Sequence, residues 1–219
     1  MNTKSKSHFS VQLPTDRAMV PKPVRNGIFI GDYENTEARM VQAALTDGDR
    51  VLEIGTGIGF ISVLCAKICG PDRVWSFEAN PAVKPLIQKT YQLNGVTPKL
   101  HIKAVTTDGT PLTFFAADNL ISSSKFDRSC SGRWVNVDSV PFANVMRDHQ
   151  PTVVVMDTEG AEVDLLTDAD LAGLRCLILE THPNIVGDKP IANLLSSLNR
   201  QGFETTAHFQ KNAILTRAV

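Results

Sequence analysis

Along the chain, short unbroken apolar runs alternate with stretches in which apolar residues return every three or four positions. Val51-Leu52-Glu53-Ile54 precedes residues 60–69, where Ile61, Leu64, Cys65 and Ile68 share one helical face. Gly70-Pro71 then ends that helix in the usual order. Val74-Trp75-Ser76-Phe77 comes next, and Asn80 and Pro81 supply a cap and a first helical residue. The helix they open runs to about Leu93 and breaks at Asn94-Gly95, before an alternating third strand over residues 100–105. Strand, helix, strand, helix, strand is half of a doubly wound α/β fold.

The pattern resumes at Thr152-Val153-Val154-Val155-Met156, a β-branched run of the kind that is covered on both faces of a parallel sheet. A helix opening at Val163, Leu165 and Leu166 follows, then a fifth strand over 174–179 and a helix over 191–199. Residues 203–206 and 213–216 close the sheet as two final strands. The expected fold is therefore a three-layer, doubly wound Rossmann-like domain with seven strands, mostly parallel, the last antiparallel. Upstream, Met40, Val41, Ala44 and Leu45 give residues 34–45 helical spacing, and Asp47-Gly48-Asp49 stops that helix. Residues 1–26 are polar and proline-marked, an arm or lid with little core ahead of a domain over 27–219. Between the two halves, 112–115 and 135–140 are added strands and 142–147 a short helix. Residues 116–134 form a serine-rich surface loop of the kind that walls a ligand site.

Chemistry concentrates where the first of these strands ends. Glu53-Ile54-Gly55-Thr56-Gly57-Ile58-Gly59 is a strand end, a turn and a helix start. Its glycines remove the Cβ atoms that would keep a ligand from the backbone. A dinucleotide fingerprint needs glycine at the sixth position of the turn, and Phe60 stands there instead. The spacing E-x-G-x-G-x-G is similar to the first motif of S-adenosylmethionine (SAM) methyltransferases. Glu78 ends the second strand 23 positions after Gly55, close to the offset of about 20 at which an acid meets ribose hydroxyls.

Composition adds limits. The 219 residues make one large domain, or one with an appendage, and the net charge of −1 gives no sign of a broad polyanion-binding surface. The expected partners thus exclude nucleic acid, although a local basic groove is compatible with that balance. Neither a secretory signal nor an apolar run of about 20 residues is visible, so the expectation is a cytoplasmic protein without a membrane partner. Four cysteines lack zinc spacing and are read as reduced packing residues.

The chain resembles the FkbM family of SAM-dependent methyltransferases over about residues 27–206. The residues that carry the likeness are Gly31-x-Tyr33-Glu34, the 53–59 turn, Phe77-Glu78-x-Asn80-Pro81, Asn94, and above all Asp157-x-Glu159-Gly160-Ala161-Glu162. Gly57 departs from it, because family members often carry Asn there. The resemblance implies SAM as cofactor and O-methylation of a hydroxyl on a small metabolite such as a sugar or polyketide. It implies a cofactor site at Glu53, Gly55, Thr56, Gly57, Gly59, Glu78, Ala79 and Asn80, with Tyr33 and Glu34 closing one end and Ala104 bordering the adenine.

For catalysis the candidates are Asp157 and Glu159, which leave an apolar strand at the cofactor edge, and His182, which leaves the next. Either acid could be the general base or help hold a divalent cation, Mg²⁺ or Ca²⁺ by its oxygen donors. Either could equally cap the following helix. An imidazole near neutrality suits removal of an alcohol proton; a structural histidine before Pro183 is the plain alternative. A nicotinamide oxidoreductase and a non-enzymatic SAM-binding subunit are the competing functions.

Overall fold

The computed structural model describes residues 4–117 and 132–217. Its first elements are β1 (Ser5–His8), β2 (Val11–Pro14), α1 (Lys22–Ile30) and α2 (Asn35–Ala44). The first half of the main sheet comprises β3 (Val51–Ile54), α3 (Phe60–Cys69), β4 (Val74–Phe77), α4 (Lys84–Asn94) and β5 (Lys99–His101). Four smaller pieces follow: β6 (Ala104–Thr106), β7 (Leu112–Ala117), β8 (Gly132–Val137) and β9 (Ser139–Pro141). The second half is α5 (Phe142–His149), β10 (Val153–Met156), α6 (Glu162–Leu166), β11 (Cys176–Glu180), α7 (Pro183–Val186), α8 (Asp188–Arg200), β12 (Phe203–Phe209) and β13 (Asn212–Arg217).

Seven strands form the central sheet in the order β12-β13-β11-β10-β3-β4-β5. Every pairing is parallel except those of β13, which runs antiparallel to both neighbours. This is the Rossmann-like architecture expected from the pattern. The chain winds outward from β3 to β5, then restarts at β10 on the other side of β3. The carboxyl ends of β3 and β10 therefore flank a topological switch point, where open α/β sheets leave a crevice.

Alternate residues of one strand feed opposite faces. Val153 and Val155 of β10 pack with α2, α3 and α4 side chains. Val154 and Met156 pack with Leu165 of α6 and with Leu194 and Leu198 of α8. Both faces are covered, which is why these strands carry almost no polar residues.

The N-terminal segment differs from the expectation of an arm with little core. β1 and β2 form an antiparallel hairpin, and Val11, Leu13, Val20 and Val24 are buried in the α3/α4 layer. Asn94 holds the hairpin in place. Its Oδ1 accepts from the Gln12 amide at 2.8 Å and its Nδ2 donates to the Gln12 carbonyl at 2.9 Å, so the amide group acts as one more rung of backbone. A polar strand whose alternate residues are apolar leaves a weak signal when it is only four residues long.

The third strand is also shorter than the alternation over 100–105 predicts. β5 ends at His101, and β6 leaves the main sheet to pair in parallel with β9. β7 and β8 form an antiparallel hairpin; most of the serine-rich segment between them, with Cys130, lies outside the described residues. Cys65, Cys69 and Cys176 are buried free thiols. No described helix is long and apolar enough to cross a membrane.

Candidate functional site

A cavity opens at the carboxyl ends of β3, β4, β10 and β11, and its floor is the glycine turn. Gly55 has φ +92°, and a Cβ there would stand 1.8 Å from the Asp157 carbonyl oxygen, so β10 leaves no room for a side chain. Gly57 has φ +56°, with Glu34 Oε1 3.3 Å from a Cβ built on it. Gly59 serves packing instead: its Cβ would touch Ile87 and Tyr91 of α4 at 3.0 Å. Of the three, Gly55 and Gly57 line the cavity and Gly59 does not.

The two acids predicted at the strand ends occupy different environments. Glu78 Oε2 accepts the backbone N–H groups of Thr56 at 3.1 Å and Gly57 at 3.0 Å, while Oε1 accepts that of Asn80 at 2.7 Å. Its carboxylate thus ties the two loops together and still faces the cavity. Asn80 Oδ1 accepts from the Ala82 amide and caps the 3₁₀ turn that leads into α4. Thr56 points away, its hydroxyl lying 3.2 Å from both Glu53 Oε2 and the Phe77 carbonyl.

Glu53 is 1% exposed. Its Oε2 accepts from Ser62 at 2.5 Å and from Thr56, whereas Oε1 is buried without a hydrogen-bond partner. Burial pushes the carboxyl up to about 7 despite the Ser62, Ser76 and Thr56 hydroxyls around it. A buried acceptor left open beside a cavity is costly unless a donor fills it. A ligand ammonium would supply that donor.

Tyr33 and Glu34 close the same end. Glu34 adopts the left-handed conformation, φ 45°, as the residue before α2. Burial drives its carboxyl well above the ordinary range, and it lines the cavity. Tyr33 is fixed through its carbonyl, 3.0 Å from His8 Nε2 of the hairpin. On the opposite wall Ala79, Ala104, Val105 and Leu112 make an apolar slot, with the Ala104 amide donating to the Asp138 carbonyl at 2.9 Å.

Past the glycine turn, β10 and β11 bring the three catalytic candidates together. His182 is 3% exposed, and its Nε2 lies 3.5 Å from Asp157 Oδ1, 3.6 Å from Glu159 Oε2 and 3.3 Å from Glu180 Oε1. Glu162 Oε1 sits behind the ring, 3.2 Å from Nδ1 and 2.9 Å from the His182 amide. Glu162 Oε2 accepts from the Gly160 amide at 2.9 Å and from the Thr158 hydroxyl at 3.2 Å. Burial opposes charge on this imidazole, but the Glu162 hydrogen bond and the negative groups of Glu180 and Asp157 beside it raise it to about 10. In that state His182 has no lone pair with which to remove a proton, unlike the near-neutral base pictured from the sequence. Burial, followed by the Glu180 charge, moves Asp157 in the upward direction.

Glu37, Glu180, Lys211 and Asn212 belong to this site although sequence reasoning did not select them. Glu37 shares a helix face with Glu34, three residues on, which is the signal that could have found it. Glu180 ends β11 as Asp157 ends β10 and pairs with Lys211. Lys211 and Asn212 come from the antiparallel turn after β12, and sequence spacing gives no hint of their approach.

Comparisons with known proteins agree with this fold. Residues 24–124 match the model of the TRM5/TYW2 methyltransferase domain. That match ends before Asp157, so it covers the glycine turn and not the D-x-E-G-A-E block on which the FkbM resemblance mainly rests. No curated protein sequence matches. Among solved structures, Trm5b from Pyrococcus abyssi is similar with a TM-score of 0.50 and 14% identity, over 98% of this chain and 55% of that one. A putative rRNA-methylase from Clostridium thermocellum has a TM-score of 0.51 and 9% identity, over 84% and 94% of the two chains. A tRNA m1G37 methyltransferase from M. jannaschii has a TM-score of 0.46 and 12% identity, over 99% and 57%.

These likenesses correct one expectation. Nucleic acid was excluded on the near-zero net charge, yet the similar structures include a putative rRNA-methylase by name. A net charge summed over a whole chain says little about one local surface. The sheet order, the glycine turn between two strand-end acids and the family-model match make this chain a SAM-dependent methyltransferase of the class I, Rossmann-like type.

Proposed function

We propose that the chain methylates an acceptor hydroxyl, with the acceptor entering over the ends of β10 and β11. The observation that carries this reading is the open Oε1 of Glu53 beside the bare backbone of Gly55 and Gly57. A primary ammonium fits that oxygen, and the glycines let the methionine part pass close to the chain. Glu78 would hold the ribose with the acceptor capacity left on its Oε1, and Ala79 and Ala104 would flank the adenine. SAM, when bound, supplies an electrophilic methyl group on a positively charged sulfur.

The protein's share of the chemistry is alignment and proton removal. Asp157 and Glu159 stand at the mouth, with side chains 43% and 25% exposed, where an incoming hydroxyl can reach them. Their carboxylates would accept the hydroxyl proton as the C–O bond forms. His182 and Glu162, both buried, would fix the two acids rather than react.

A second reading has its own support: an RNA acceptor, favoured by the likeness to the putative rRNA-methylase. Methyl-labelled SAM offered with total RNA, and separately with a panel of sugars and phenols, discriminates between them. Label in the small-molecule fraction supports the first reading and label in RNA the second. SAM binding without transfer to either would favour a cofactor-binding subunit. Binding of a nicotinamide cofactor in place of SAM would overturn both readings.

A further inference from the structure

We infer that Asp157, Glu180 and His182 form a binding site for one divalent first-row transition ion at the acceptor end of the cavity. One donor atom from each lies within 4.8 Å of the others. Donors bonded to one ion at about 2.0–2.2 Å stand about 3.0–3.5 Å apart. His182 Nε2 is 3.5 Å from Asp157 Oδ1 and 3.3 Å from Glu180 Oε1, long for charge-assisted hydrogen bonds but suited to donors sharing a metal.

Two further observations point the same way. His182 Nε2 and Asp157 Oδ1 are buried atoms without a hydrogen-bond partner, and they lie 3.5 Å apart. Behind the ring, Glu162 is 0% exposed and takes Nδ1, which fixes the tautomer that leaves Nε2 free for a metal. Asp157 and Glu180 line the cavity, so an ion can enter.

The donor set also selects the ion. Oxygen donors alone would suit Mg²⁺ or Ca²⁺, but a buried imidazole turns the preference toward Mn²⁺, Fe²⁺ or Zn²⁺. At this position the ion would bind an acceptor hydroxyl and lower its pKa, leaving Glu159 to take the proton. That role rests on the hydroxyl reading above; the binding site does not.

Mn²⁺ is the probe. The purified full chain, freed of metal, is titrated with Mn²⁺ while free ion is followed by electron paramagnetic resonance. Bound Mn²⁺ is then examined for ¹⁴N coupling from imidazole. The expected result is one ion per chain with such coupling. His182→Gln and Glu180→Gln should weaken binding at least tenfold, and Glu162→Gln about 10- to 100-fold. Absence of bound Mn²⁺, or bound Mn²⁺ without nitrogen coupling in the wild type, overturns the site even if the variants fail to fold. Methyl transfer by a chain that binds no Mn²⁺ refutes the metal alone. Mn²⁺ binding without methyl transfer refutes the hydroxyl reading and leaves the site standing.

Discussion

Replacing Glu53 by Gln separates stability from binding in a way that few substitutions can. The carboxyl is buried and titrates near 7 in the folded chain instead of the ordinary 4.5. A raised carboxyl means that the folded state holds its proton longer than the unfolded state does. Its favourable contribution is whole below pH 4.5 and drains away as pH rises through 7. At about 1.4 kcal/mol per pH unit the loss at pH 8 is roughly 3 kcal/mol. Glu53→Gln keeps an acceptor for Ser62 and Thr56 and removes the charge. The apo variant should therefore be more stable than wild type at pH 8 by up to about 3 kcal/mol, or about 6–12 °C in Tm for a chain of this size. At pH 4, below the unfolded value, the two should melt together. SAM affinity should move oppositely, falling by about tenfold or more at pH 8 through loss of the ammonium partner. Differential scanning fluorimetry at both pH values and calorimetric SAM titrations give the two readouts. A variant that is less stable at pH 8, or that binds SAM as well as wild type, refutes the reasoning.

Other substitutions probe the frame around the site. Gly55→Ala would force a Cβ to 1.8 Å from the Asp157 carbonyl at φ +92°, which should cost more than about 4 kcal/mol; thermal melts should show a large loss or no folded protein. Glu78→Ala removes the acceptor for three backbone N–H groups, so SAM affinity measured by calorimetry should fall by about 10- to 100-fold, with a stability loss of about 1–3 kcal/mol. Asp49 is held down to about 2, against the effect of burial, by Arg175 together with Thr46 and Thr152. Asp49→Asn should thus cost about 2 kcal/mol in urea unfolding at pH 7. Because a depressed carboxyl lends stability above pH 3.8 and loses it as pH falls through 2, the gap from wild type should narrow in acid.

The sheet was legible mainly because β10 and β11 are buried on both faces and so read as unbroken apolar runs. The glycine turn was legible for a steric reason, most plainly at Gly55, where a neighbouring strand excludes any side chain. What the sequence hid was long-range. Lys211 and Asn212 reach the site from the turn that joins β12 to β13, and nothing local marks their approach. The β1–β2 hairpin looked like a polar arm because β1 consists of polar residues and only β2 adds two buried aliphatic side chains, Val11 and Leu13. His182 was visible as a candidate, but its role depends on four carboxylates that come from 157, 159, 162 and 180. One imidazole near one acid suits a base; one among four is a cation site, for a proton or for a metal.

The central claim is that the cavity over Gly55 and Gly57 accepts a sulfonium nucleoside. Its most direct test is calorimetric titration of the wild-type chain with S-adenosylhomocysteine and SAM, repeated with Gly57→Val, whose branched side chain would project toward Glu34 and fill the cradle. The account predicts saturable binding of one cofactor per chain, abolished or strongly weakened in a variant that still folds. No binding to wild type, or equal binding to Gly57→Val, would contradict it.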